Sequence, residues 1–234
     1  MVEIPGKKYS IGKYAVTQGL WESVMGNHPR RFVGSSRPVE NVNWFDCVEF
    51  CNKLSEKEGL EKAYSINGKE VECNFDSNGY RLPTDWEWWF AAKANDDFEY
   101  AGSDNIDEVA RYGVKHWYSS DYPTRRVGQR KANGFGLFDM SGNVWEWTWD
   151  LYNAEFYSRL AARRSPIGSV IGNYHVIRGG SWAMPEEYHR VHYRLSLPLW
   201  GFTGQGTADK SGKKPVFINQ TLNFLKFLQN KTLI

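Results

Sequence analysis

Apolar and polar residues alternate from Lys8 to Thr17, with Tyr9, Ile11, Tyr14 and Val16 as the apolar members. That period predicts one or two short strands broken at Gly12. Leu20, Trp21, Val24 and Met25 then recur at helical spacing behind Thr17, a suitable N-cap, until Gly26 stops the run. After a turn-rich loop from Asn27 to Val42, a longer helix is predicted from Trp44 to Lys57. Trp44, Cys47, Val48, Cys51 and Leu54 line one face of it, and Gly59 ends it. Ala63 to Ile66 and Val71 to Phe75 flank Asn67-Gly68, a hairpin-turn signal. A third helix opens on the capping box of Thr84 and Glu87 and runs through Trp86, Trp89, Phe90 and Lys93 to Asn95.

Residues 94 to 135 read as a long connection with a few short strands, such as Arg126 to Val127. From Asn143 to Asp150 rings alternate with polar residues, the period of a half-buried strand, and His175 to Arg178 gives a second strand signal. Residues 203 to 215 form a polar linker. In the tail from Val216 to Ile234, Leu222, Leu225 and Leu228 with Phe224 and Phe227 suit a short helix.

Composition narrows the class. The chain has 234 residues, 41% hydrophobic and 24% charged, which excludes a disordered, collagenous or coiled-coil protein. A net charge of +2 falls far short of the footprint of a nucleic-acid binder, so no nucleic-acid partner is expected. No run approaches the roughly 20 apolar residues of a membrane span, and Met1 to Ser10 has no signal-peptide core. The three cysteines, Cys47, Cys51 and Cys73, are odd in number and lack paired metal spacing. Cys47 and Cys51 share a helical face, where burial is a better account than a metal or redox pair. Gly134-x-Gly136 has no lysine or helix start behind it, so a turn into a strand is expected there, not a phosphate cradle. Trp, Tyr and Phe make 16% of the chain, rings that serve cores and binding surfaces alike.

Three motifs carry a resemblance. Tyr80-Arg81-Leu82-Pro83-Thr84, the run from Gly136 through Asn143-Val144-Trp145-Glu146-Trp147, and Arg178-Gly179-Gly180-Ser181-Trp182 occur in the order seen in formylglycine-generating enzymes, the sulfatase-modifying factor family. The resemblance runs from about Lys8 to Phe202. It implies an α+β, C-type-lectin-like fold: a single domain over residues 1–202 with two main helices, short twisted strands and long irregular loops. In that family a copper-dependent oxidation rests on two cysteines shortly after Gly-Gly-Ser. Here Ala183 to Arg194 contains none, and all three cysteines precede Asn74. The oxidase site does not carry over, and no catalytic residue, cofactor or metal site is expected. His189 and His192, with His175, are the remaining candidate metal ligands, for which solvent-facing histidines are the plainer account. The resemblance also places calcium near the Gly-Asn-x-Trp-Glu-Trp motif, through an oxygen ligand such as Asn143.

Another branch of this fold comprises variable proteins diversified by retroelements, in which the stretch after Arg-Gly-Gly-Ser-Trp is mutated at adenines. Residues 183–200 resemble that pattern. Fixed-looking positions (Arg178 to Trp182, Arg190-Val191, Arg194, Pro198) alternate with unrelated side chains. Adenine substitution in asparagine codons does not yield Met, Glu or Trp, so Met184, Glu187 and Trp200 require template or other codons. The expected role is a non-catalytic, receptor- or adhesin-like surface for a protein or surface ligand. Its candidate contacts are Ala183, Met184, Pro185, Tyr188, His189, His192, Tyr193, Leu195, Ser196, Leu197, Leu199 and Trp200. The resemblance implies display at the cell surface, with a signal or lipid anchor on the full-length protein. Three alternatives stay open. Tyr193, Leu195, Leu197 and Leu199 form an ordinary buried strand; the chain is a metal-dependent oxidase or peptide-modifying enzyme; or the apolar tail binds a partner chain.

Overall fold

The computed structural model describes residues 1–113, 123–155, 169, 171–198, 220–221 and 225–227. In chain order, β1 (Val2–Glu3) and β2 (Tyr9–Ile11) precede α1 (Gln18–Met25) and α2 (Trp44–Lys57). Next come β3 (Tyr64–Asn67), β4 (Glu70–Cys73), β5 (Tyr80–Arg81), α3 (Asp85–Lys93) and α4 (Ile106–Val109). Then follow β6 (Trp145–Leu151), β7 (Tyr174–Arg178), a 3-10 turn (Glu186–His189), β8 (Leu195–Pro198), β9 (Gln220–Thr221) and β10 (Leu225–Phe227).

The helices form where their caps are local. The Leu20 N–H donates to Thr17 Oγ1, and Gly26 closes α1 in the left-handed region at φ 72°. Asn43 and Asp46 make a reciprocal capping box at α2, as Thr84 and Glu87 do at α3. α2 buries Trp44, Cys47, Val48, Cys51 and Leu54, so its two cysteines are core. α3 buries Trp88, Ala91 and Ala92, whereas Trp86, Trp89 and Phe90 are half-buried. Lys7 Nζ lies 4.5 Å from the Trp86 ring and 4.4 Å from the Phe90 ring.

The hairpin turns one residue later than its sequence signal: Asn67 pairs with Glu70, leaving Gly68 and Lys69 at the corner. Within 94–135 the described chain is irregular apart from α4, and Val127 makes a single backbone bond to Ser36 in place of a strand. Asn133 organises its glycine-flanked turn. It donates to the carbonyls of Ala91 and Ala92 and accepts from the N–H groups of Phe135 and Leu137.

Two four-stranded sheets carry the domain. One runs β1-β2-β10-β5, antiparallel throughout; the other runs β8-β7-β6-β9, with β9 parallel to β6. The described part of the tail is therefore strand, where helical spacing predicts a helix; Leu222, Phe224 and Leu228 lie outside the described residues. β2 and β5 each offer a row of backbone N–H and C=O groups, and β10 satisfies both, which outweighs an isolated helix of a few residues. The second correction concerns β6. Its period predicts one wet face, yet Trp145, Glu146, Trp147, Thr148 and Asp150 are all buried. Trp147 and Trp44 tie the ring face to the α2 side through Trp147 Nε1 to Val42 O and Trp44 Nε1 to Thr148 O, both 3.1 Å. The polar face packs under α3.

Candidate functional site

Beneath α3 lies a layer of buried charge. Arg81 grips Glu87 through both terminal nitrogens at 2.7 Å, and Glu87 also accepts the Thr84 N–H. Trp88 Nε1 donates to Glu146 at 2.6 Å. Asp85, 2% exposed, faces Arg178 Nε at 2.5 Å and accepts from Arg194 Nε at 2.7 Å. The guanidinium of Arg178 sits 4.9 Å from the centre of the Trp88 ring. Asp150 accepts the Asp85 N–H at 2.6 Å. Burial, and then the charge of Asp85, push the Asp150 carboxyl well above the usual range.

This layer holds the segment after Arg178-Gly179-Gly180-Ser181-Trp182. Arg178 is fully buried and donates to the carbonyls of Val191 and Tyr193. Ser141 Oγ donates to the His189 carbonyl at 2.9 Å, and the Gly113 N–H donates to the Met184 carbonyl at 2.9 Å. The Val191 N–H donates to Glu99 O at 2.9 Å, and the Arg190 guanidinium pairs with the Glu99 carboxylate. Tyr100, itself buried, donates to Glu186 at 2.8 Å. Asp85, Glu99 and Tyr100 give no signal in sequence, because each lies 86 or more residues from the residue it ties, whereas Ser141 falls within the Gly136 to Trp147 motif.

The side chains of the segment divide. His192 is exposed; Ala183, Pro185, Tyr188, Tyr193, Leu195 and Ser196 are half-buried. Tyr188 and Tyr193 pack on one another at 4.9 Å and both lean on the buried Trp145. Three candidate contacts are corrected. Met184 and Leu197, each 3% exposed, belong to the main apolar cluster, Leu197 because the period of β8 turns it inward. His189 is fully buried, its two ring nitrogens 3.0 Å from Pro185 O and 3.1 Å from Ser181 O. Leu199 and Trp200 lie outside the described residues. The alternative of a wholly buried Tyr193-Leu195-Leu197 strand holds for Leu197 alone.

His189 also explains a glycine. A Cβ at Gly180, which has φ 78°, would stand 2.5 Å from the imidazole Cδ2. A neutral imidazole donates to one of its two facing carbonyls, and only the charged ring would donate to both. Burial wins, pushing the pKa down to about 4. His175 is buried as well, stacked on Trp44 at 4.1 Å with Nδ1 2.9 Å from Trp149 O, and burial lowers it to about 3. The expectation of solvent-facing histidines therefore holds for His192 alone, and the structure does not bring the three together. Among the described residues no group of three or more His, Cys, Asp or Glu side chains is placed to hold a metal ion. Asn143, the candidate calcium ligand, is buried and clamps Arg125: Oδ1 accepts its N–H at 3.0 Å and Nδ2 donates to its carbonyl at 3.2 Å. Among the described residues no helix is long and apolar enough to cross a membrane.

Comparison with known proteins agrees with this geometry. Treponema denticola variable protein 1 superposes with a TM-score of 0.76 at 31% identity, covering 94% of this chain and 84% of its own. A Paenibacillus barcinonensis protein named chaperone protein LppX is 41% identical over 176 residues, 62% of this chain and 63% of that protein. The formylglycine-generating enzyme of Thermomonospora curvata is 31% identical over 188 residues, 74% of this chain and 54% of the enzyme. The chain thus spans less than two-thirds of the length of these two curated relatives. Residues 2–199 match the family described as sulfatase-modifying factor enzyme 1-like domain. The mixed helices and small sheets are those of the C-type-lectin-like fold of formylglycine-generating enzymes, and the chain belongs to this sulfatase-modifying factor family.

Proposed function

We propose that the chain is a non-catalytic ligand-binding protein whose contact surface is built on residues 183–198 and diversified by a retroelement. One observation carries this reading: the segment is tied down by its backbone carbonyls. Arg178, Ser141 and Gly113 hold the carbonyl oxygens of Val191, Tyr193, His189 and Met184, atoms that every residue type supplies. Side chains at Tyr188, His192 and Tyr193 can therefore change while the backbone keeps its place. Rigid, amphipathic rings on such a frame provide contact area at low entropic cost. Likeness to a protein named as variable supports the same reading. The contact set is Ala183, Pro185, Tyr188, His192, Tyr193, Leu195 and Ser196, and display at the cell surface goes with it.

The test is genetic. Sequencing the DNA flanking the gene should find a near-copy of codons 170 to 205 that differs only at adenines, with the differences falling on the contact set. A flank without such a copy removes the retroelement from the proposal. The competing reading, a peptide-modifying oxidase, draws on the 31% identity to a formylglycine-generating enzyme. Incubation with copper and a cysteine-containing peptide should leave the peptide mass unchanged, and a mass change would favour the enzyme.

A further inference from the structure

Away from the tied segment, the structure holds a cavity of about 450 Å³ walled by Arg37, Arg111, Arg125, Arg126, Arg130 and Asp139. Arg37 and Arg111 are half-buried and Asp139 is buried; Arg125, Arg126 and Arg130 are exposed. Five guanidinium groups thus outnumber a single carboxylate around one space. Like charges gathered this closely repel, and a fold that keeps them together needs a reason or a counter-charge.

Among the described residues no carboxylate forms an ion pair within 4 Å with four of the five, Arg37, Arg125, Arg126 and Arg130, and the buried Glu40 is within Coulombic reach of Arg37 alone among them. Arg37 Nη1 is buried with no hydrogen-bond partner, a donor left open. Asp139 offsets at most one of the five charges. Its Oδ2 accepts the Gly128 N–H at 2.7 Å, and burial pushes its pKa up to about 6.

The strand of loop carrying Arg125 and Arg126 is also fixed. Asn143 clamps the Arg125 backbone at both its N–H and its carbonyl, Val127 bonds to Ser36 at 3.0 Å, and Gly128 bonds to Asp139. The backbone beneath Arg125 and Arg126 is therefore preorganised, and a ligand meets it without ordering the loop. Guanidinium forks match tetrahedral oxyanions through paired donors, and several forks around one cavity suit more than one such group. Gln129, also on the wall, adds an uncharged amide donor.

We propose that this arginine-walled cavity binds a small polyanion bearing two or more phosphoryl groups, seated on Arg37 and Arg111 and clasped by Arg125, Arg126 and Arg130. The site is separate from the contact set on residues 183–198 and does not depend on it.

Calorimetric titration of the full chain with inorganic tripolyphosphate, in metal-free buffer at fixed ionic strength, tests it. The expected result is saturable binding with one ligand per chain, at least tenfold tighter than for orthophosphate. Arg126→Ala combined with Arg130→Ala should weaken it at least tenfold while the near-ultraviolet circular dichroism stays unchanged. Lys53→Ala with Lys62→Ala, the same charge removed away from the cavity, should leave the affinity within twofold. Three results overturn the proposal: no saturable binding, equal affinity in the arginine double variant, or an equal loss in the lysine double variant.

Discussion

The β3–β4 hairpin and the segment from Met184 to Arg194 solve the same problem, holding exposed side chains on a surface, by opposite means. The hairpin is regular: four consecutive pairs from Tyr64↔Cys73 to Asn67↔Glu70 hold it, all within ten residues of chain. The segment has one short 3-10 turn and no ladder, yet Gly113, Ser141, Glu99, Arg178 and Asp85 reach it from five other parts of the chain. Regularity and rigidity are thus separable. A ladder makes order local and repeating, while distant ties make an irregular path rigid without one.

Breaking the buried tie should have the largest effect. Arg178→Met strips Asp85 of a partner in a site closed to water, and a loss of about 3–5 kcal/mol is expected from urea unfolding. An unchanged midpoint would mean that the ties are redundant.

Acid should loosen the segment next. His189 is neutral when folded, with a pKa of about 4, whereas the unfolded ring takes up a proton near 6.5. Its stability contribution is whole above pH 6.5 and is lost as pH falls, by about 1.4 kcal/mol per unit, until the folded ring also protonates near 4. Comparing His189→Asn with the parent chain across that window isolates this slope. Parallel stability curves for the two proteins would sink the assignment.

Gly180→Ala, which drives a methyl into the same imidazole and strains φ, should cost about 2–3 kcal/mol in thermal melts. On the hairpin the corresponding change, Gly68→Ala at φ 62° with nothing within 4 Å, should cost about 1 kcal/mol and leave the segment untouched. Smallest of all, His192→Ala should move stability by no more than ~0.5 kcal/mol, because the exposed ring carries no tie. A large loss there would show that the segment depends on its side chains after all.

What was legible in the sequence follows the reach of each interaction. Thr17, Gly26, Thr84 and Glu87 act on residues three or four away, so α1 and α3 begin where their caps predict, and the apolar face of α2 is read directly from its period. The family motifs and the fold they imply were legible too. The acids of β6 read as a wet face because alternation records polarity and cannot see the partner: Glu146 meets Trp88 and Asp150 meets Asp85, 58 and 65 residues away. His189 reads as a surface ring for the same reason, its pocket being made by Gly180 and Ser181 folding back across a turn. In the tail, the helical spacing of Leu222, Leu225 and Leu228 is overridden at Leu225–Phe227 by two waiting strand edges.

That last pairing bears on how the protein is made. Leu225 lies opposite Ile11, so β2 stays without one neighbour until a segment more than 200 residues further along has been made. β2 and β5 wait with bare edges until β10 has been made, an interval in which such edges invite aggregation. Emergence of β10, not local helix formation, is then the step that permits the first sheet to close.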